Sequence, residues 1–207
     1  MEVSVSFLGD YNYKKLIKEI NNTSCDYIHF DVMDGRFVKN KNLGVDELKE
    51  LLNISNKKND IHLMVQNPME YVDHLKNCNI EYITVHYEAY DVVKSIKEIK
   101  RLGYKVGVAI NPDTSYSVLE DLLDSIDLIL VMSVVPGKSG QSFIPDVSSK
   151  INNLKEIIKD RNLNVKISVD GGINNMVLKY VSNADILVSA SYVLNDFKNI
   201  EILKNGR

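Results

Sequence analysis

The 207-residue chain has no tryptophan, only two cysteines and only four prolines. Cys25 and Cys78 supply neither a disulfide framework nor a CxxC metal pair. Histidine is also scarce, with His29, His62, His74 and His86 as the full set. Neither sign of charge dominates. Twenty-five basic residues against 28 acidic ones leave a formal charge of −3, which argues against a general nucleic-acid or anionic-membrane binder. Long hydrophobic runs are missing too. The longest, Ile126 to Val135, contains Asp127 and Ser133 and is too short to cross a bilayer. The first residues, MEVSVSFLGD, show neither the basic region nor the apolar stretch of a secretory signal. These absences set the expectation of a cytoplasmic protein without nucleic-acid or membrane partners.

Hydrophobic residues at 44% and charged ones at 26% suit one globular domain over residues 1–207. Short β-rich runs alternate with amphipathic segments along the whole chain. The runs are VSVSF (3–7), DYIHFDV (26–32), DIHLMV (60–65), EYITVHY (81–87), KVGVAI (105–110), DLILVMSVV (127–135), VKISVD (165–170) and ADILVS (184–189). Between them, segments such as YKKLIKEINN, VVKSIKEIKRLG and MEYVDHLKNC repeat apolar residues at helical spacing. The pattern gives eight strands and about eight helices, at about 26 residues per unit. Strict alternation means parallel strands joined by helical crossovers. Eight units predict a closed (β/α)₈ TIM barrel. An open doubly wound sheet is the rival, but neither GxGxxG nor GxxxxGK[ST] follows the first strand.

In such a barrel, chemistry belongs at the C-terminal strand ends. His29 and Asp31 in IHFDVMDG are two apart, so they share one side of a strand whose other side is Ile28, Phe30 and Val32. His62 in DIHLM and Asp170 in SVDGG add candidates from two more strands. Burying such groups is costly unless each is paired or binds a metal. Two imidazoles and two carboxylates would suit one divalent transition metal, or each could be a separately hydrogen-bonded core group. Asp31 and Asp170 could also act as an acid/base pair on opposite faces of a substrate. His74 falls in a helical pattern and reads as a partly exposed surface residue. Two loops suit an anion: Gly137-Lys138-Ser139-Gly140 after the sixth strand, and Gly171-Gly172 after the seventh. Met33, Met64 and Met132 read either as core filler or as an apolar wall around reacting carbons.

Taken together, HFDVMDGRFVKN, DIHLMVQNP, ITVHYEA, GVAINPDT, LVMSVVPGKSGQSFIP and VDGGIN resemble, in order, the motifs of the ribulose-phosphate 3-epimerase family. The resemblance runs from about Val3 to about Val193. It implies a (β/α)₈ barrel that interconverts D-ribulose 5-phosphate and D-xylulose 5-phosphate. It implies that His29, Asp31, His62 and Asp170 hold one divalent metal ion, most often zinc, with iron, manganese and cobalt also associated. Asp31 and Asp170 would double as the acid/base pair. Ser6 and His86 would lie beside the substrate, Met33, Met64 and Met132 around the intermediate, and Gly140, Gly171, Gly172 and Ser191 around the phosphate. The partner implied is a small sugar phosphate, and a homo-oligomer is expected. The chain departs from the family pattern at its phosphate end. Lys138 and Ser139 replace an aromatic and a glycine, and Ala190 precedes Ser191 in place of a glycine. A related hexulose-phosphate 3-epimerase acting on D-allulose 6-phosphate, or an inactive sugar-phosphate-binding barrel, are the alternatives.

Overall fold

The β-branched and aromatic runs form strands because alternate side chains can be buried on two faces at once. The computed structural model describes residues 1–8 and 12–206. The strands are β1 (Glu2–Ser6), β2 (Tyr27–Met33), β3 (Lys58–Met64), β4 (Tyr82–His86), β5 (Lys105–Ile110), β6 (Leu128–Met132), β7 (Lys166–Asp170) and β8 (Ile186–Ser189). Each pairs in parallel with its sequence neighbour, and β8 returns to β1, closing an eight-stranded barrel. The outer elements include α1 (Tyr13–Ile20), α2 (Val45–Ile54), α3 (Met69–Val72), α4 (Val92–Arg101), α5 (Val147–Asp160), α6 (Ser191–Asn195) and α7 (Asn199–Asn205). Together they make a (β/α)₈ TIM barrel. None of these helices is long and apolar enough to cross a membrane.

Helical crossovers are less uniform than the alternating pattern suggests. After β5 the chain makes only 3₁₀ turns, Tyr116–Leu119 and Leu123–Ser125, and after β7 another, Asn175–Tyr180. Ser115 and Asn174 accept hydrogen bonds from Ser117 and Met176 amides two residues on, which favours the tighter turn. The MEYVDHLKNC segment forms a helix only at Met69–Val72, and Asn77 beyond it is left-handed at φ 63°. His74 therefore sits exposed in a turn rather than on a helix.

The outward strand faces pack under the helices. Ile28, Phe30 and Val32 are fully buried there, as are Ile17, Ile20, Leu51 and Leu52 from α1 and α2. Burial of each such side chain contributes about 1.5–3 kcal/mol, which offsets the cost of polar groups facing inward.

The barrel interior is layered. Its floor is Tyr27, Tyr82, Leu128 and Ile186, the first residues of the four even strands, each 1–2% exposed. Tyr27 donates its hydroxyl hydrogen to Glu2, and Lys58 and Lys105 lie over the two tyrosine rings. Above the floor the lining turns polar, with Ser4, Asp60, Thr84 and Ser168 buried. Gly107 belongs to this level because a Cβ there would meet Thr84 Oγ1 at 2.2 Å. Strand register then sets His29 beside Asp60 and Asp31 beside His62, one pair above the other. Above the apolar floor the interior is polar beside β2–β4 and apolar at Ala109, Leu130 and Val188 on the other side.

Candidate active site

Register and two-residue alternation carry the site. His29 and Asp31 point inward from β2, His62 from β3 and Asp170 from the last position of β7. One ligating atom from each lies within 4.8 Å of the others. Ligands held at about 2.0–2.2 Å around one tetrahedral centre lie about 3.3–3.6 Å apart, so the four groups would draw in by roughly 1 Å on binding an ion. A second observation agrees. His29 Nε2 is fully buried without a hydrogen-bond partner, 3.5 Å from Asp31 Oδ1 and 4.0 Å from Asp170 Oδ2. A buried nitrogen left unpaired beside two carboxylates is what an incoming cation would use. The donor set, two imidazoles and two carboxylates, fits a divalent transition metal.

The surroundings fix each group. Asp60 accepts from His29 Nδ1 at 2.7 Å and from the Ser4 hydroxyl at 3.3 Å, which leaves Nε2 facing the cluster. Ser6 donates to Asp31 Oδ2 at 2.7 Å, and His62 Nδ1 lies 3.2 Å from Asp31 Oδ1. His62 Nε2 is 2.8 Å from His86 Nε2, and His86 Nδ1 is 3.1 Å from Glu88. Phe37 packs on the His86 ring at a centroid distance of 4.7 Å.

Electrostatics separate the two aspartates. Burial raises the Asp170 carboxyl, and the Asp31 charge adds to it, pushing it up to about 7. Burial acts on Asp31 in the same direction, but His29 and His62 outweigh it and hold this carboxyl well below the usual range. Burial opposes a charge on His29, yet Asp60 and Asp31 raise it well above the ordinary imidazole value. For His62 and His86 burial prevails and lowers both, His86 to about 4. A bound cation would hold Asp31 low and draw Asp170 down, since it favours their charged forms. One carboxylate firmly ionised beside one near neutrality is a pattern suited to acid/base work at neutral pH.

Above the cluster lies a cleft of about 580 Å³. Ser6, Asp31 and Asp170 reach into it at the bottom, with Met64 and Met132 on its wall. Gly137, Lys138 and Gly140 line the side after β6, and Gly171, Gly172 and Ser191 the side after β7 and β8. Gly172 is held at φ +64°, and a Cβ there would meet Phe143 N at 2.6 Å. His86 joins the site through His62, from the last position of β4, and does not line the cleft. Met33 is buried at the end of β2 and does not line the cleft. Lys138 is exposed on a ridge between this cleft and a second of about 530 Å³ bounded by Phe37, Asn40 and Pro112.

Two functional neighbours escape a reading of the sequence, Asp60 and Glu88. Asp60 shares the inward face of β3 with His62, and the same two-residue spacing could have flagged it. Glu88 lies in the turn past β4, where no periodicity applies.

The chain is 39% identical over 184 residues to a ribulose-phosphate 3-epimerase of Synechocystis, covering 86% of this chain and 80% of the relative. It is 38% identical to that of Methanocaldococcus jannaschii, covering 100% and 90%. The crystal structure of 3-hexulose-6-phosphate synthase from Salmonella typhimurium superposes over both full lengths with a TM-score of 0.65 at 16% identity, a likeness of fold alone. Residues 2–194 match the model of the "Ribulose-phosphate 3 epimerase family", and the chain belongs to that family.

Proposed function

We propose that the protein is a divalent-cation-dependent sugar-phosphate 3-epimerase acting on D-ribulose 5-phosphate and D-xylulose 5-phosphate. The observation that carries this reading is the pair Asp31 and Asp170. They come from β2 and β7, and both reach the floor of one cleft. With the sugar's C3 between them, one carboxylate takes the proton and the other returns one to the opposite face. The reverse reaction exchanges their roles. His29, Asp31, His62 and Asp170 would hold the cation, and zinc suits this mixed donor set. When bound, the cation supplies positive charge that lowers the cost of negative charge developing on the sugar oxygens.

The chain's other residues bind and shield. Ser6 holds Asp31 Oδ2 and so fixes the carboxylate's orientation. Met64 and Met132 form an apolar wall that keeps bulk solvent from the planar enediolate. The phosphate would lie at the Gly171–Gly172 and Ser191 side of the cleft, with Lys138 at its rim. The Lys138 and Ser139 departures fall at this end, and they keep D-allulose 6-phosphate as the second substrate to test.

The experiment is isotope exchange at C3 in deuterated solvent, with both sugars run side by side and metal content measured on the same sample. Deuterium incorporation with epimer formation, faster on the pentulose, is expected. Faster exchange on the hexulose would reassign the substrate. Binding without exchange of either sugar would make the barrel a binder only.

A further inference from the structure

One line of hydrogen bonds leaves the cluster and ends on a residue that the acid/base chemistry does not use. It runs from Asp31 Oδ1 to His62 Nδ1 at 3.2 Å, then from His62 Nε2 to His86 Nε2 at 2.8 Å. His86 Nδ1 then meets Glu88 Oε2 at 3.1 Å. Four groups therefore enclose three gaps, and each short gap between two basic atoms wants one hydrogen. Both imidazoles are fully buried, and as neutral rings they bring two hydrogens between them.

Glu88 brings none. Its Oε1 accepts the Asn111 backbone N–H at 2.9 Å and the Thr114 hydroxyl as well. The His86–Glu88 gap must then be filled from His86 Nδ1, since a bare imidazole nitrogen facing a carboxylate repels it. His86 Nε2 is left as an acceptor, so His62 donates from Nε2 and keeps a lone pair on Nδ1. No hydrogen remains for the Asp31–His62 gap. That is the gap in which a divalent cation would sit, and a cation there closes the count.

We propose that Glu88 is a positioning residue that reserves His62 Nδ1 for the cation, acting through the orientation of protons on His86. This rests on the cation-dependent reading above and adds a residue to it. Outer partners of metal-binding histidines act in this way generally, by fixing which nitrogen carries the hydrogen.

Glu88→Gln is the decisive change, because it keeps shape while altering the hydrogen count. The Asn111 N–H can only donate, so the amide must turn its carbonyl oxygen there and its NH₂ toward His86. The amide then fills the outer gap with its own hydrogen. The two imidazole hydrogens move inward, and one lands on His62 Nδ1, where the cation needs a lone pair.

The test combines nitrogen-15 NMR of the imidazoles with zinc titration of the full chain. Only four histidines need assignment. In the zinc-loaded wild type, hydrogen is expected on His62 Nε2 and His86 Nδ1. In metal-free Glu88→Gln it is expected on His62 Nδ1 and His86 Nε2, with zinc affinity lowered roughly 10- to 100-fold. Glu88→Gln binding zinc within about twofold of wild type, or the opposite hydrogen placement in the zinc-loaded wild type, overturns the inference. Neither readout involves sugar turnover, so failure here is separable from failure of the epimerase reading, which the exchange experiment decides. A wild type that takes up no zinc or other divalent cation overturns the cation reading, and the inference with it.

Discussion

The two sides of the barrel mouth are built on different principles. On the β1–β4 side the working groups are side chains on strands: Ser6, His29, Asp31, His62 and His86, each at most 5% exposed. Ladder register fixes their heights, and each has a partner within the barrel except the unpaired Nε2 of His29. On the β6–β8 side the working groups are backbone and loop: Gly137 to Gly140, Gly171 and Gly172, with Lys138 exposed. Asp170 stands at the border, the last residue of β7, with an 18% exposed side chain. Groups that move protons need positions fixed to a fraction of an ångström, and strands provide that. Groups that hold the far end of a sugar phosphate need donors and reach, and turns provide those.

The contrast can be broken at its border first. Asp170→Asn keeps size and removes the proton, so epimerisation should fall by roughly 10²–10⁴-fold or more. Metal content must be measured in the same sample, because a lost ligand would mimic lost acid/base chemistry. A variant with metal bound and activity within tenfold of wild type would remove Asp170 from the pair.

A smaller effect is expected on the loop side from Gly172→Ala. The added methyl meets the backbone of the 141–143 loop at 2.6–2.9 Å, and φ +64° disfavours any side chain. The 141–143 loop must shift, and KM for the sugar phosphate should rise by roughly ten- to hundredfold, with kcat changing less. An equal loss in kcat with unchanged KM would mean that this loop serves the chemistry and not the binding.

Smallest is Lys138→Ala. If the lysine reaches the phosphate as a point charge, KM rises by roughly tenfold, about 1.4 kcal/mol, and the penalty shrinks as salt increases. An unchanged KM at low ionic strength would leave phosphate binding to the backbone amides.

The same division explains what could be read from sequence. His29, Asp31, His62 and Asp170 are legible because polar residues in a buried strand break an otherwise apolar alternation. The eight strands are legible for the same reason, within a few residues at each end. Asp60 follows the same rule and can be recovered from its spacing to His62. Glu88 cannot, because its role depends on a turn that folds it back toward His86 and on Asn111 and Thr114 from the next loop. The crossovers after β5 and β7 are 3₁₀ because side-chain caps at Ser115 and Asn174 compete with helical periodicity.

The tyrosine floor has a consequence for proton traffic. After each conversion under the two-carboxylate reading, one aspartate holds a proton more and the other a proton fewer than before. Tyr27, Tyr82, Leu128 and Ile186 close the lower exit, which leaves the mouth and the Asp31–His62–His86–Glu88 line as the routes by which protons can be re-sorted. A sugar phosphate filling that mouth leaves only the inner line. Under that reading the enzyme rests in two forms, each primed for one epimer, and a bound sugar slows the exchange between them.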